Sequence, residues 1–317
     1  MTYTPILCFG YDRPNHLKAM LNSLENNYLA SKSDVTIAID GKNKNTNSAL
    51  HSETIEIAKL NWNFRSVNVI EREINLGCRD NIITSISEMF SKNEKLIIIE
   101  DDLILSKYFI KYMNEALEKY ENEEQIWHIN GYTYPQFVNK SRSASIGKYV
   151  SPWGWATWRK NWEIFLEKNY YEENFISKLN KKSIDKFNHN GLYDWENIIL
   201  KHQEDKASIW DAYWYQAVFM ENGLTIFPNK SMVQNNGFDG TGVHCSNIND
   251  WKTSLATKHI IKWPKKININ LVHYCNSILF FKFYNYKRYW RYHRSKFSSF
   301  KNFYLFISKK LFGSKIS

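Results

Sequence analysis

The stretch KLIIIEDDLIL, residues 95–105, decides how the rest of the chain is read. Leu96 to Ile99 are four apolar residues in a row, mostly β-branched, the pattern of a strand buried on both faces in a parallel sheet. The run stops on Glu100, Asp101 and Asp102 and then resumes. Three adjacent carboxylates repel one another, so their place at the end of a buried strand has two readings. One is a solvated strand end. The other is a site for a cation that needs hard oxygen ligands.

Working outward, the first hundred residues alternate short apolar strands with helical stretches. Strands are predicted at TPILCFG, DVTIAID, SVNVIER and KLIIIED. Helices are predicted at PNHLKAMLNSLENN, from about Ser48 to Leu60, and at RDNIITSISEMFSK. Such alternation implies βαβ units and an α/β fold around a mostly parallel, Rossmann-like sheet. Right-handed crossovers place the loops that follow the strands along one edge, where open α/β sheets bind ligands. Those loops are FGYDRP, IDGKNK, REINLGCRDN and EDDL, and three of them carry an Asp directly after the strand.

Bulk composition narrows the class. With 317 residues, 43% hydrophobic and 16% aromatic, the chain is globular, with core enough for one large domain. Nothing in MTYTPILCFGYDRPNHL reads as a signal peptide, and no stretch approaches the roughly 18–20 apolar residues of a bilayer span. The four Cys are far apart without a CxxC pair, which argues against a zinc site or a disulfide framework. The expected setting is therefore cytoplasmic. The net charge of +10 is unevenly spread: after Asp250 there is no acidic residue but 15 Lys and Arg, so residues 1–250 carry a net −5.

Beyond the acids, SKYFIKYMNEALEKYENEE reads as an amphipathic helix. Trp and Gly then become frequent, in SPWGWATWRKNW, WDAYWYQAVFMENG and NNGFDGTGVHC. These motifs, in this order after IIIEDDLILSKYFIKYM, resemble the metal-dependent glycosyltransferases of the GT-A fold. The resemblance covers roughly residues 3–245. It is greatest to the inverting family of N-acetylglucosaminyltransferase I-like enzymes, and extends to bacterial family-2-like sugar transferases. It implies a GT-A catalytic domain over residues 1–250, with a nucleotide-binding half to about 105 and an acceptor half from about 106. A basic aromatic extension follows at 251–317.

The resemblance also implies roles. Asp102 would ligate Mn2+ or Mg2+, with His244 aimed at the metal or the diphosphate. Glu100 and Asp101 would bind ribose or donor-sugar hydroxyls. Asp12, Arg13 and Asp40 would frame the base and phosphates of a nucleotide-sugar, with Asn75, Gly77 and Arg79 in the next loop. Asp211 would be the catalytic base, and Trp153, Gly154 and Trp155 would line the acceptor site. UDP-linked donors, UDP-N-acetylglucosamine first, are implied by the family alone.

Each role has a plainer competitor. Asp211 could cap the helix AYWYQAVFMEN, with Asp194 or Glu196 as base instead. His244 could be an ordinary loop residue, Asp12 a turn residue before Pro14, and Trp153, Trp155 and Trp158 plain core. A nucleotidyltransferase acting on sugar phosphates shares the nucleotide, the metal and the sheet, but gives no reason for the Trp-rich segment. A non-catalytic sugar-binding or nucleic-acid-binding protein is the other alternative. Nucleic acid is not expected as a partner, because the basic charge is confined to the tail and the ligand edge is acidic. Between Phe280 and Phe306, 13 of 27 residues are aromatic, with cations among them and no acid. That composition suits a helix lying on an anionic membrane. It points to peripheral attachment at the inner face of the cell membrane, near a glycan or lipid-linked saccharide acceptor of surface polysaccharide synthesis. The competing reading is a terminal helix packed on the domain.

Overall fold

In a computed structural model, the backbone is described for residues 3–137, 143–171, 175–205, 209–240, 250–259 and 262–312, and the side chains for all of these except 202–205 and 292–312. The first half alternates as expected: β1 (Ile6–Gly10), α1 (Pro14–Glu25), β2 (Asp34–Ile39), α2 (Ser48–Ala58), β3 (Ser66–Glu71), α3 (Cys78–Phe90) and β4 (Lys95–Ile99). Local chemistry sets the boundaries. Pro14 opens α1, where its missing N–H costs nothing. The Asn47 side chain caps α2 by accepting from the amides of Ala49 and Leu50. The chain continues through β5 (Leu103–Leu105), α4 (Phe109–Lys119), β6 (Ile126–Asn130), β7 (Ser145–Gly147), β8 (Trp155–Trp158), α5 (Arg159–Glu167), α6 (Lys181–Phe187), α7 (Trp195–Asp205) and α8 (Asp211–Met220). It ends with β9 (Leu224–Phe227), β10 (Val233–Asn235) and the 42-residue α9 (Leu271–Phe312).

Eight strands form one sheet in the order β3-β2-β1-β4-β8-β6-β9-β7. Pairing is parallel from β3 to β4, antiparallel on both sides of β8, parallel between β6 and β9, and antiparallel at β7. Six of the eight strands thus share one direction, the mostly parallel α/β sheet expected. Residues alternate between its two cores: Ile6, Cys8, Ile97 and Ile99 pack on the α1/α2/α4 side, and Leu7, Phe9, Leu96 and Ile98 on the α3/α5/α8 side. Successive strands β1, β2 and β3 extend the sheet one way, and β4 returns to the other flank of β1. The strand order therefore reverses between β1 and β4, which opens a crevice beyond their carboxyl ends. The segments that leave those ends are Asp12–Arg13 and Glu100–Asp102.

The boundary read at residue 250 marks a change of charge, not of packing. Ala256 donates its amide to the Ser231 carbonyl at 2.7 Å, and Trp263 stacks on Tyr112 at 5.6 Å. Phe280 and Phe281 of α9 are fully buried beside Tyr134. Residues 251–259 and 262–291 therefore complete the domain. Phe280→Ala should accordingly cost about 3–5 kcal/mol of stability, read from the urea unfolding midpoint; a separately folded extension would leave the main transition unmoved.

Candidate active site at the carboxyl ends of the central strands

The acidic turn is held from three directions. From the residue that precedes α1, Arg13 places Nη1 3.5 Å from Asp101 and 3.4 Å from Asp102. From the start of α8, Trp210 Nε1 donates to Glu100 at 3.1 Å. From the far side comes the small antiparallel ladder of β10 on β5, which sets Asn235 opposite Leu103. There the Asn236 amide donates to the Asp102 carbonyl at 2.8 Å, and Asn235 Nδ2 lies 3.4 Å from the Asp102 carboxylate. Gly237 follows, so close to that carboxylate that an added Cβ would collide with it. Asp239 of the same segment pairs with His16 at 3.0 Å and approaches Arg13 at 3.9 Å.

Crowding shows in the proton affinities. Burial pushes Asp101 up to about 7, with Asp102 adding to the rise and Arg13 opposing it. Burial likewise raises Glu100 well above the carboxylate range, helped by Asp102 and by Asp211. Asp102 is raised by burial against the opposing pull of Arg13. The Cys78 thiol at the start of α3, itself exposed at the surface, is pushed up by the desolvating neighbours around it and by the charges of Glu100, Asp211, Asp101 and Asp40. Acids from β2, β4 and α8 thus converge on one crevice.

Beyond the carboxyl end of β2, Asp40 is buried and its oxygens are taken up by the chain. Oδ1 accepts from the amides of Gly41 and Leu76, and Oδ2 from the amide of Gly77 and from Asn75 Nδ2, all within 3.0 Å. Asp40 and Asn75 therefore clamp the loop after β3 onto the loop after β2. Gly41 is required at this contact, since a Cβ there would strike the Ile74 carbonyl group. Asn75 also reaches the Tyr11 hydroxyl at 3.4 Å. Gly77 (φ 80°) starts α3 in a left-handed conformation that suits glycine. Arg79 turns to its neighbour Asp80 at 2.8 Å. Asp12 lies near enough to Asp101 to raise its pKa.

Across the crevice, Asp211 is the first residue of α8 and accepts from the next amide, Ala212, at 2.9 Å. Tyr193, from the loop before α7, lies close enough for the Asp211 charge to push its hydroxyl up, after burial. The expectation for the Trp-rich segment needs correction. Trp155 is fully buried in β8, stacked between Trp210 at 5.4 Å and His128 at 5.0 Å, and offers no face to a sugar. Gly154 is also buried, and its φ of 58° and close contact with Val233 and Phe109 make it a turn glycine. Trp153 is half-buried against Tyr132, Phe238 and Trp251, at the edge of the crevice. Asp194 is exposed and bonds Asn197, while Glu196 is engaged by Asn188. His244 lies outside the described residues.

Among the described residues, no three His, Cys, Asp or Glu side chains are placed to hold a metal ion by themselves. The donor set nevertheless fits a hard divalent cation that takes one carboxylate from the protein and oxygens from a bound phosphate. The acids carry raised pKa values that a cation would relieve, and Asp102 fronts the crevice beside Arg13. His16, Cys78, Trp210, Asn235 and Asp239 join the site without having been singled out in the sequence. Of these, Cys78, Trp210, Asn235 and Asp239 lie inside the stretches REINLGCRDN, WDAYWYQAVFMENG and NNGFDGTGVHC, whereas His16 carries no signal beyond its helix.

No protein-family model matches the sequence, and no curated protein matches it. Solved structures similar to it include a mannosyltransferase from Pyrobaculum calidifontis in complex with GDP-Man and Mn2+ (12% identity, 51% of this chain and 47% of that one, TM-score 0.38). Another is TarS from S. aureus (11%, 75% and 37%, 0.44). A third is a cytidylyltransferase from Leptospira borgpetersenii (13%, 53% and 65%, 0.35). The chain spans less than two thirds of the length of each. What the site does is therefore read from its own residues.

The electrostatics yield a pH signature. A carboxylate whose folded pKa exceeds its unfolded one stabilises the fold fully below the unfolded value. That contribution is lost as pH rises through the folded value. For Asp101 the window runs from 3.8 to about 7. Asp101→Asn should therefore raise the melting temperature of metal-free protein, and by more at about pH 8 than at about pH 5. Taking variant minus parent cancels the opposite trend from the buried histidines His128 and His273.

Proposed function

We propose that the protein is a metal-dependent, inverting glycosyltransferase. It moves a sugar from a nucleotide-sugar, UDP-linked, to a hydroxyl of a glycan or lipid-linked saccharide in surface polysaccharide synthesis. The observation that carries this reading is the meeting, at the β1/β4 crevice, of the Glu100–Asp101–Asp102 turn with Arg13 on one side and Asp211 on the other. That crevice joins a cation-demanding acidic patch to a separate carboxylate at a helix start, the two elements that direct displacement at an anomeric carbon requires.

The roles follow from position. Asp102 would hold Mn2+ or Mg2+, which when bound offsets the charge that develops on a departing diphosphate. Arg13 is placed to turn from the carboxylates to phosphate oxygens once a cation neutralises the acids. Asp40 and Asn75 act one step back, fixing the loop that closes the nucleotide side. Glu100, oriented by Trp210, presents an oxygen to a donor-sugar hydroxyl. Asp211 takes the proton from the acceptor hydroxyl as it attacks the face opposite the leaving group, with Trp153 at the rim as an apolar surface for the acceptor ring. No covalent intermediate is needed. A nucleotidyltransferase would instead place a sugar phosphate opposite the nucleotide, and release pyrophosphate rather than a nucleoside diphosphate.

Two substitutions test the assignment. Asp102→Ala should abolish Mn2+-dependent stabilisation by UDP and all transfer while the melting temperature of the free protein is kept or raised; an unaltered manganese response would move the ligand elsewhere. Asp211→Asn should lower turnover by roughly 10²–10⁴ with donor affinity near normal. An anomerically retained product, or release of pyrophosphate, would overturn the proposal.

A further inference from the structure

Helix α9 has two faces of opposite character. Its inner face belongs to the domain: Phe281 packs on Tyr193 at 5.5 Å, Phe280 on Tyr134 at 5.0 Å, Asn285 Nδ2 donates to the Leu192 carbonyl at 2.8 Å, and Arg291 pairs with Asp250. At about 100° per residue, Leu279, Phe283, Tyr286 and Trp290 lie on the opposite side. They are 39%, 44%, 60% and 48% exposed, and Phe137 (49%) extends the patch beside Phe283 at 5.7 Å. Lys287 covers one edge, its Nζ 4.5 Å from the Phe283 ring centre. In the sequence, the same spacing of four and three continues through His293, Phe297, Phe300, Tyr304, Ile307 and Leu311, and the helix backbone runs to Phe312. A contiguous apolar patch of this kind marks an interaction surface.

We propose that α9 lies in the interface of an anionic lipid bilayer, with Leu279, Phe283, Tyr286 and Trp290 turned into the lipid and the domain held above it. Charge selects this occupant over a second copy of the chain. Helix α9 carries nine Lys and Arg and no acid. Lys287 and Arg291 pair with Asp250, and the remaining cations make two such helices repel each other, whereas anionic headgroups complement them. Tyr and Trp favour the headgroup layer. Among the described residues no helix is long and apolar enough to cross a membrane, which leaves the in-plane arrangement. The inner face of the same helix carries Tyr284 and Arg288 toward Tyr193, and Tyr193 in turn lies near Asp211. The acceptor side of the crevice therefore lies across α9 from the lipid, at least one helix diameter, roughly 10 Å, away. This favours a lipid-linked acceptor, an extension that rests on the glycosyltransferase reading; the docking itself does not.

Because the inner face is part of the core, the test uses point substitutions in the full chain. Parent protein and Phe283→Ser/Trp290→Ser are sedimented with phosphatidylcholine vesicles with and without about one third phosphatidylglycerol. The parent should sediment only with the anionic vesicles and be released by salt. The double variant should partition at least about tenfold more weakly, with an unchanged melting temperature. Equal sedimentation of the two proteins would overturn the proposal, as would a parent that stays in solution. A dimer that the variant dissociates, without vesicle binding, would assign the face to a second copy. Vesicle binding by a protein that UDP and Mn2+ fail to stabilise would leave the docking in place and remove the glycosyltransferase reading with its lipid-linked acceptor.

Discussion

Repulsion among carboxylates gathered at the end of β4 is the constraint around which this site is arranged. Leu96 to Ile99 of β4 are buried, and the acids of the turn that follows reach water only in part. Arg13 answers the repulsion in part, Trp210 fixes one oxygen of Glu100, and Asn235 approaches Asp102. The remainder is stored as raised proton affinity, with burial the largest cause. A hard cation entering a site in this condition would offset that charge.

The strand order explains why these residues can meet. Asp12 and Arg13 leave β1, the acids leave the adjacent β4, and both open into the crevice where the order reverses. The antiparallel ladder between β5 and β10 then brings Asn235, Gly237 and Asp239 over the acids from more than 130 residues away. Trp155 does its work in the opposite way from expectation. Inserted in β8 between β4 and β6, it stacks beneath Trp210, so the rings that looked like a sugar platform instead brace the residue that orients Glu100.

In α9 a single helix closes the core with one face and leaves an apolar stripe on the other. An aromatic-rich composition is compatible with either role, and the acid-free charge pattern begins at residue 251 although the packing does not change there. Composition marks where the charge changes; it does not mark where the hydrophobic core ends.

The sequence by itself determined the elements of the first hundred residues, because strand and helix periods there are distinct and each boundary carries local chemistry, as at Pro14 and Asn47. It also determined the acidic turn, since three carboxylates after a β-branched run can be read without knowing any neighbour. Tertiary structure alone decided which partners those acids have. Asp40 looked like its neighbours Asp12 and Asp101, yet four internal donors consume its oxygens. Trp155 and Trp153 stand two residues apart in one motif, yet one is core and the other lies at the rim. Periodicity reports how a segment folds on itself; contacts across a sheet depend on strand order and register, which no local stretch of sequence encodes.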